Sequence, residues 1–174
     1  MAVTQERTTM SELWDQIDEF PQYSVSTHGR VMNDLTNRLM IHTPVQYGIP
    51  TVGLTRDGRQ HRRSVPLLVA NAWLPYPQRD DFNTVIQLDG VRANCHVDNL
   101  MWRPRWFAIE FHKERIANPF PNWDRPIKLM ETGEEFDTPS DCATYYGLLE
   151  KEIFLAILNK TAVFPEWFHF RYVS

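Results

Sequence analysis

The sequence predicts an α+β fold of small antiparallel sheets alternating with short helices, and three observations carry that prediction. An Asp57-Gly58 step sits between two loosely alternating runs, a strong signal for a two-residue hairpin. From Thr84 to Ala117 the order reads strand, turn, strand, helix, a ββα element. After Asn118-Pro119-Phe120-Pro121-Asn122, where two prolines remove backbone donors and hold their neighbours extended, a small α/β pattern restarts.

In chain order, Ala2 to Thr9 reads as a loose tail. Trp14-x-x-Ile17 and Phe20-Pro21-x-Tyr23 lead into Ser24-Val25-Ser26, a His28-Gly29 turn and Arg30-Val31-Met32-Asn33, which together predict a small hairpin. Val45 to Leu54 alternates toward the Asp57-Gly58 turn, and Arg62 to Val65 follows it. Pro66 to Leu74 is a helix: Ser64 suits its cap, Pro66 its first turn, and Pro75 stops it. Thr84 to Leu88 and Leu100-Met101-Trp102 are the strands of the ββα element. Pro104 precedes its helix, which turns Phe107, Phe111 and Ile116 to one side. Beyond the prolines, Pro126 to Met130 and Glu135 to Asp137 are strands, and Ser140-Asp141 opens a short helix ended by Gly147. Glu150 to Asn159 is a second helix with Ile153, Phe154 and Ile157 on its stripe, and Trp167 to Tyr172 alternates as a closing strand. Trp123, Phe164, Trp167 and Phe168 belong to the core or, if exposed, to a protein-binding patch.

Composition narrows the class. Aromatics at 13% and a hydrophobic share of 43% supply enough apolar surface to offset ordering entropy. No apolar run approaches a membrane span and the start is polar, so the expectation is a cytoplasmic protein. Cys95 and Cys142 form no C-x-x-C pair and indicate neither a disulfide framework nor a cysteine zinc site. The net charge of −4 is unevenly spread: −3 over residues 1–50, +3 over 51–115 and −4 over 116–174. A positive middle can contact phosphates while acidic ends face a protein.

The runs Leu67 to Pro75, Val85-Ile86-Gln87-Leu88-Asp89-Gly90, Asn94 and Asp98-Asn99-Leu100-Met101-Trp102 resemble, in order and spacing, the phage and intron HNH homing endonucleases. Trp14, Ile17, Phe20-Pro21-x-Tyr23-x-Val25-Ser26 and Gly29-Arg30-Val31 resemble the short motif that precedes HNH domains in those enzymes. Pro126-Ile127-x-Leu129, Gly133, Phe136, Ser140, Ala143, Gly147-Leu148 and Phe170-Arg171-Tyr172 resemble the helix-turn-helix module appended to them. The resemblance implies a flexible tail at 1–13, an endonuclease-like domain at 14–117, a linker at 118–124 and a helix-turn-helix-like module at 125–174.

In the family a strand histidine deprotonates water, and one divalent metal, held by the residue beside it and by a residue on the following helix, stabilises the leaving oxygen. The matching positions here are Gln87, Ile86 and Ala108: an amide with no titratable group, an aliphatic and a methyl. The resemblance therefore implies a degenerate site with no catalytic or metal residues, in which Asp89, Asn94 and Asn99 serve the turn and loop. Candidate DNA contacts are Arg56, Arg59, Arg62 and Arg63 beside the hairpin, Arg92, Arg103 and Arg105 beside the degenerate site, and Lys151 and Lys160 on the last helix. Leu149-Glu150-Lys151-Glu152, where a recognition helix reads bases, is acidic.

The reading is a phage-type DNA-binding protein acting in a bacterial cytoplasm. It has lost cleavage and serves as a sequence-specific transcription regulator or other DNA-occupancy factor, with RNA polymerase or another protein as partner through the acidic ends. Two alternatives stand beside it. One is an active nicking endonuclease with an atypical Mg²⁺ site using His96 or His112; the other is a protein-interaction factor that no longer binds DNA.

Overall fold

In the computed structural model the described residues are 11–44, 48–77, 79–117 and 125–173 of the 174, with backbone alone for 115–117. The N-terminal tail before residue 11, the expected linker at 118–124 with Trp123, and the side chain of Ile116 lie outside that set. Two units emerge from the chain. The first comprises the residues up to Leu74 together with Cys95–Val97; the second comprises Pro75–Asn94 and everything from Asp98 onward.

The first unit is built from two antiparallel sheets and a helix. Strands β1 (Trp14–Ile17), β2 (Phe20–Ser26), β3 (Val31–Asn33) and β4 (Arg38–Leu39) form one sheet in sequential order, so the expected small hairpin is the centre of a four-stranded meander. Strands β5 (Thr43–Pro44), β6 (Pro50–Arg56) and β7 (Arg59–Ser64) form the other. The β6–β7 turn takes Asp57 to φ 54° and Gly58 to φ 72°, the two positive angles for which an Asp-Gly step is suited. Helix α1 (Val65–Trp73) follows directly. Ser64 occupies its N-cap but makes no side-chain cap bond, which corrects the expected capping role, while Pro66 fits the first turn. Phe20, Val25, Val31, Val52, Leu54, Val65 and Val69 are buried as the core.

The later segment Cys95–Val97 completes this unit. The Val97 amide donates to the Thr27 carbonyl at 2.8 Å. Gly29, at φ +80°, lies so close that a Cβ there would stand 2.5 Å from the Cys95 Cβ.

In the second unit, β8 (Thr84–Gln87) and β9 (Leu100–Arg103) pair as a hairpin, and α2 (Arg105–Ala117) packs on β8. Strands β10 (Ile127–Leu129), β11 (Glu135–Phe136) and β12 (Phe170–Tyr172) form a sheet in the order β11-β10-β12, with α3 (Pro139–Tyr146) and α4 (Glu150–Asn159). Helix α3 starts one residue before the expected Ser140, because Thr138 caps it and accepts from the Asp141 amide at 3.1 Å. Gly147 ends it in the left-handed conformation. Ile127, Leu129, Leu148, Ile153, Val163 and Phe170 are among the residues of this core. Among the described residues no helix is long and apolar enough to cross a membrane.

Candidate nucleic-acid interface

The ββα element begins with the register Gln87↔Leu100, Ile86↔Met101, Val85↔Trp102 and Thr84↔Arg103. Ile86 is fully buried, Ala108 is 5% exposed, and both belong to one apolar cluster with Phe107, Phe111 and Leu149. Leu88, Met101 and Phe164 pack against its edge. Gln87 is 2% exposed. A divalent cation needs converging oxygen or nitrogen ligands. Hydrocarbon fills the positions of Ile86 and Ala108 and leaves the Gln87 amide as the one polar side chain among the three, so the residues present do not fit one.

The α3–α4 turn supplies part of that filling. A Cβ on Gly147 would lie 2.7 Å from the Met101 sulfur and 3.2 Å from the Ile86 Cδ1, so the turn approaches the hairpin as closely as only glycine permits. Arg103 fastens it. Its Nε donates to the Gly147 carbonyl at 3.1 Å, its Nη2 to the Tyr146 carbonyl at 2.8 Å and its Nη1 to the Trp102 carbonyl at 3.0 Å. Glu166 stands 3.4 Å away, and Phe82 and Phe107 lie under the guanidinium at 5.8 and 5.6 Å. Burial lowers the Arg103 pKa and raises that of Glu166, each partly opposed by the other's charge. The arginine's main contribution is thus its bonds to carbonyls rather than the ion pair. At 3% exposed, Arg103 has no face for a phosphate, which corrects its place among the expected DNA contacts.

The presumed recognition helix is held at the end expected to read bases. Leu149 at its N-cap offers no side-chain bond, and the Glu114 carboxylate of α2 accepts from the Glu150 amide at 2.9 Å instead. Desolvation raises the Glu114 pKa, the backbone donors of Lys151 and Glu150 lower it, and the charges of Glu150 and Glu152 raise it further. Lys151 and Lys160 are exposed.

Asp89, Asn94 and Asn99 interlock in the β8–β9 loop. Asn94 Nδ2 donates to Asp89 at 2.7 Å, Asn99 Nδ2 donates to Asp89 at 3.0 Å, and the Asp89 amide donates to Asn99 Oδ1 at 3.0 Å. Asp89 thus serves the loop it closes. His96 belongs to the first unit, ring to ring with His28 at 4.8 Å, and His112 is buried edge-on to Phe111 at 5.9 Å. Among the described residues no three His, Cys, Asp or Glu side chains gather as a metal-holding group.

The basic hairpin β6–β7 divides its arginines by face, because strand side chains alternate. Arg56 and Arg63 lie over the Phe20 ring at 5.5 and 5.0 Å; Arg63 also pairs with Glu19 at 3.1 Å, and Arg56 donates to the Glu19 carbonyl at 3.2 Å. These two join the hairpin to the first sheet. Arg62 points the other way, into an open groove of about 460 Å³ lined also by Arg38, Gln60, Asn33 and Thr36. Arg59 is exposed at the turn. Arg38 is not among the DNA contacts expected from the sequence, since only the pairing of β3 with β4 brings it to this groove. Arg105 is exposed, and Arg92 is half-buried and not free.

No protein-family profile matches the chain. No curated protein matches it either. A solved structure described as "DNA binding and cleavage by the HNH homing endonuclease I-HmuI" is similar to it, with a TM-score of 0.51 and 22% identity over 92% of this chain and 98% of that one. At that identity the likeness is one of fold: the chain has an HNH-like α+β fold.

Proposed function

We propose that this protein binds double-stranded DNA through an HNH-like scaffold and does not cut it. The apolar cluster of Ile86, Ala108 and Leu149 is the observation that carries the reading, since Ile86 and Ala108 are the residues that the sequence resemblance sets at the metal positions of an HNH site. The fold's likeness to a DNA-binding and DNA-cleaving endonuclease supports the first half, and the exposed Arg38, Arg59 and Arg62 supply cations for phosphates. Arg56 and Arg63 act at one remove, by fixing the hairpin. Arg105, Lys151 and Lys160 are further phosphate contacts on the second unit. Without chemistry the protein works by occupancy, as a sequence-specific regulator of transcription or of another DNA transaction.

The test is retention of fragmented genomic DNA by the purified chain, with Mg²⁺ or Mn²⁺ present, followed by sequencing and nick mapping. Intact fragments from a few defined loci are the expected result. Nicks at defined positions would overturn the non-cutting half, and no retention even at low salt would overturn DNA binding itself.

A further inference from the structure

Strand side chains alternate, so the β6–β7 hairpin has a packed face, where Arg56 and Arg63 lie over Phe20, and an opposite face that bears Gln60 and Arg62. The second face lines the open groove, together with Arg38, Leu39 and Ile41. Leu39 is 53% exposed and Ile41 87%, so neither aliphatic serves the core. The groove is lined by two arginines and no carboxylate, and among the described residues neither Arg38 nor Arg62 has an ion pair. Unpaired cations with no acid beside them complement a polyanion, and the aliphatics suit one that also presents apolar groups.

Gln60 is the polar side chain that the fold positions in this groove. A Cβ on Gly53 would lie 2.4 Å from the Gln60 Nε2 and 2.9 Å from its Cδ, so the amide lies across the β6 backbone in space that only glycine leaves. Gln60 is exposed, and among the described residues its amide makes no hydrogen bond. A carboxamide presents a donor and an acceptor side by side, the pair that matches N7 and N6 of adenine in the major groove. In the same groove thymine displays its C5-methyl group, which an aliphatic side chain covers.

We propose that this groove selects A·T pairs: Gln60 reads adenine, Leu39 and Ile41 cover the methyl of a neighbouring thymine, and Arg38 and Arg62 hold the flanking phosphates. A two-stranded ribbon is of a size to enter the major groove, and the face opposite the Phe20 packing is the one it has to offer the base edges. The inference rests on the DNA-binding reading and adds to it which base pair is chosen and by which side chains.

The test is selection from a pool of randomised duplexes by the full chain, sequencing of the retained fraction, and anisotropy on the resulting consensus. Retained duplexes with adenine fixed at a defined position, beside a fixed thymine, are expected. Gln60→Ala should lower the adenine preference at that position about fivefold or more, while binding the unselected pool within about threefold of the parent. Uracil in place of the thymine removes the methyl alone. It should weaken the parent about threefold and leave the double variant Leu39→Ser, Ile41→Ser unaffected. Retention with no A·T preference, a preference that survives Gln60→Ala, or uracil duplexes bound as tightly as thymine ones would overturn the inference and leave DNA binding standing. No retention of any duplex even at low salt would overturn both.

Discussion

Two hairpins of this protein put similar chain geometry to opposite uses. The β6–β7 hairpin sends Arg62 to its groove face, leaves Arg59 exposed beside the turn and keeps Arg56 and Arg63 as clamps over Phe20. The β8–β9 hairpin turns Ile86 inward onto Ala108 and commits Arg103 to buried carbonyls. An arginine's role is therefore set by what closes over it, and an exposed cation and a structural one can stand within one strand. Charge counting along the sequence cannot separate them.

The sharpest way to break the contrast is Arg103→Met. It leaves the Gly147 and Tyr146 carbonyls without their donor, which costs about 1–3 kcal/mol for each. Urea titration by circular dichroism should show that loss in the second unit, and stability within about 1 kcal/mol of the parent would reject the clamp. Next is the triple change Ile86→Asp, Gln87→His, Ala108→Asn, which writes the residue types of the HNH homing endonucleases that the sequence resembles into these three positions. It should destabilise by about 3 kcal/mol or more, because a carboxylate enters hydrocarbon beside Phe107 and Phe111. No Mn²⁺ binding by calorimetry and no nicking are expected; tight Mn²⁺ binding would show that the site is merely mutated rather than filled.

The contrast sharpens on the other hairpin. Arg62→Ala and Arg59→Ala should each lower DNA affinity by about 1 kcal/mol and the salt slope by about 1, with unchanged melting. Arg63→Ala should instead lower the melting temperature, through loss of its contacts with Phe20 and Glu19. Fluorescence anisotropy over a salt series separates the two. The smallest effect concerns Glu114. Its folded pKa lies above the ordinary value, so the folded state holds more protons than the unfolded one, and stability falls as pH rises through that interval. Glu114→Gln, which keeps an acceptor for the Glu150 amide, should gain stability at neutral pH and lose that advantage below the normal carboxyl range. Melts at pH 3 and pH 7 check it; equal differences at both would dismiss the linkage.

Local chemistry made much of the fold legible. Asp57-Gly58 marks the β6–β7 turn, Pro66 and Pro75 bracket α1, Pro104 precedes α2, and Gly147 ends α3. The sequence singled out Ile86, Gln87 and Ala108, but the burial of Ile86 and Ala108 was not legible, because Leu149 joins their cluster from a distant part of the chain. The fate of Arg103 was hidden for the same reason: its carbonyl partners lie 43 and 44 residues away. Trp167 defied its alternating pattern. The strand it was read into begins only at Phe170, and the indole faces water.

The excursion of Cys95–Val97 into the first unit has a consequence for anyone wishing to divide the protein. The polypeptide leaves that unit at Leu74, returns for a few residues under Gly29, and leaves again. A protease cutting once after Leu74 therefore yields no pair of intact halves: the leading fragment lacks the segment that seats against Gly29 and Thr27, and the trailing fragment carries it with nothing of its own to seat it on.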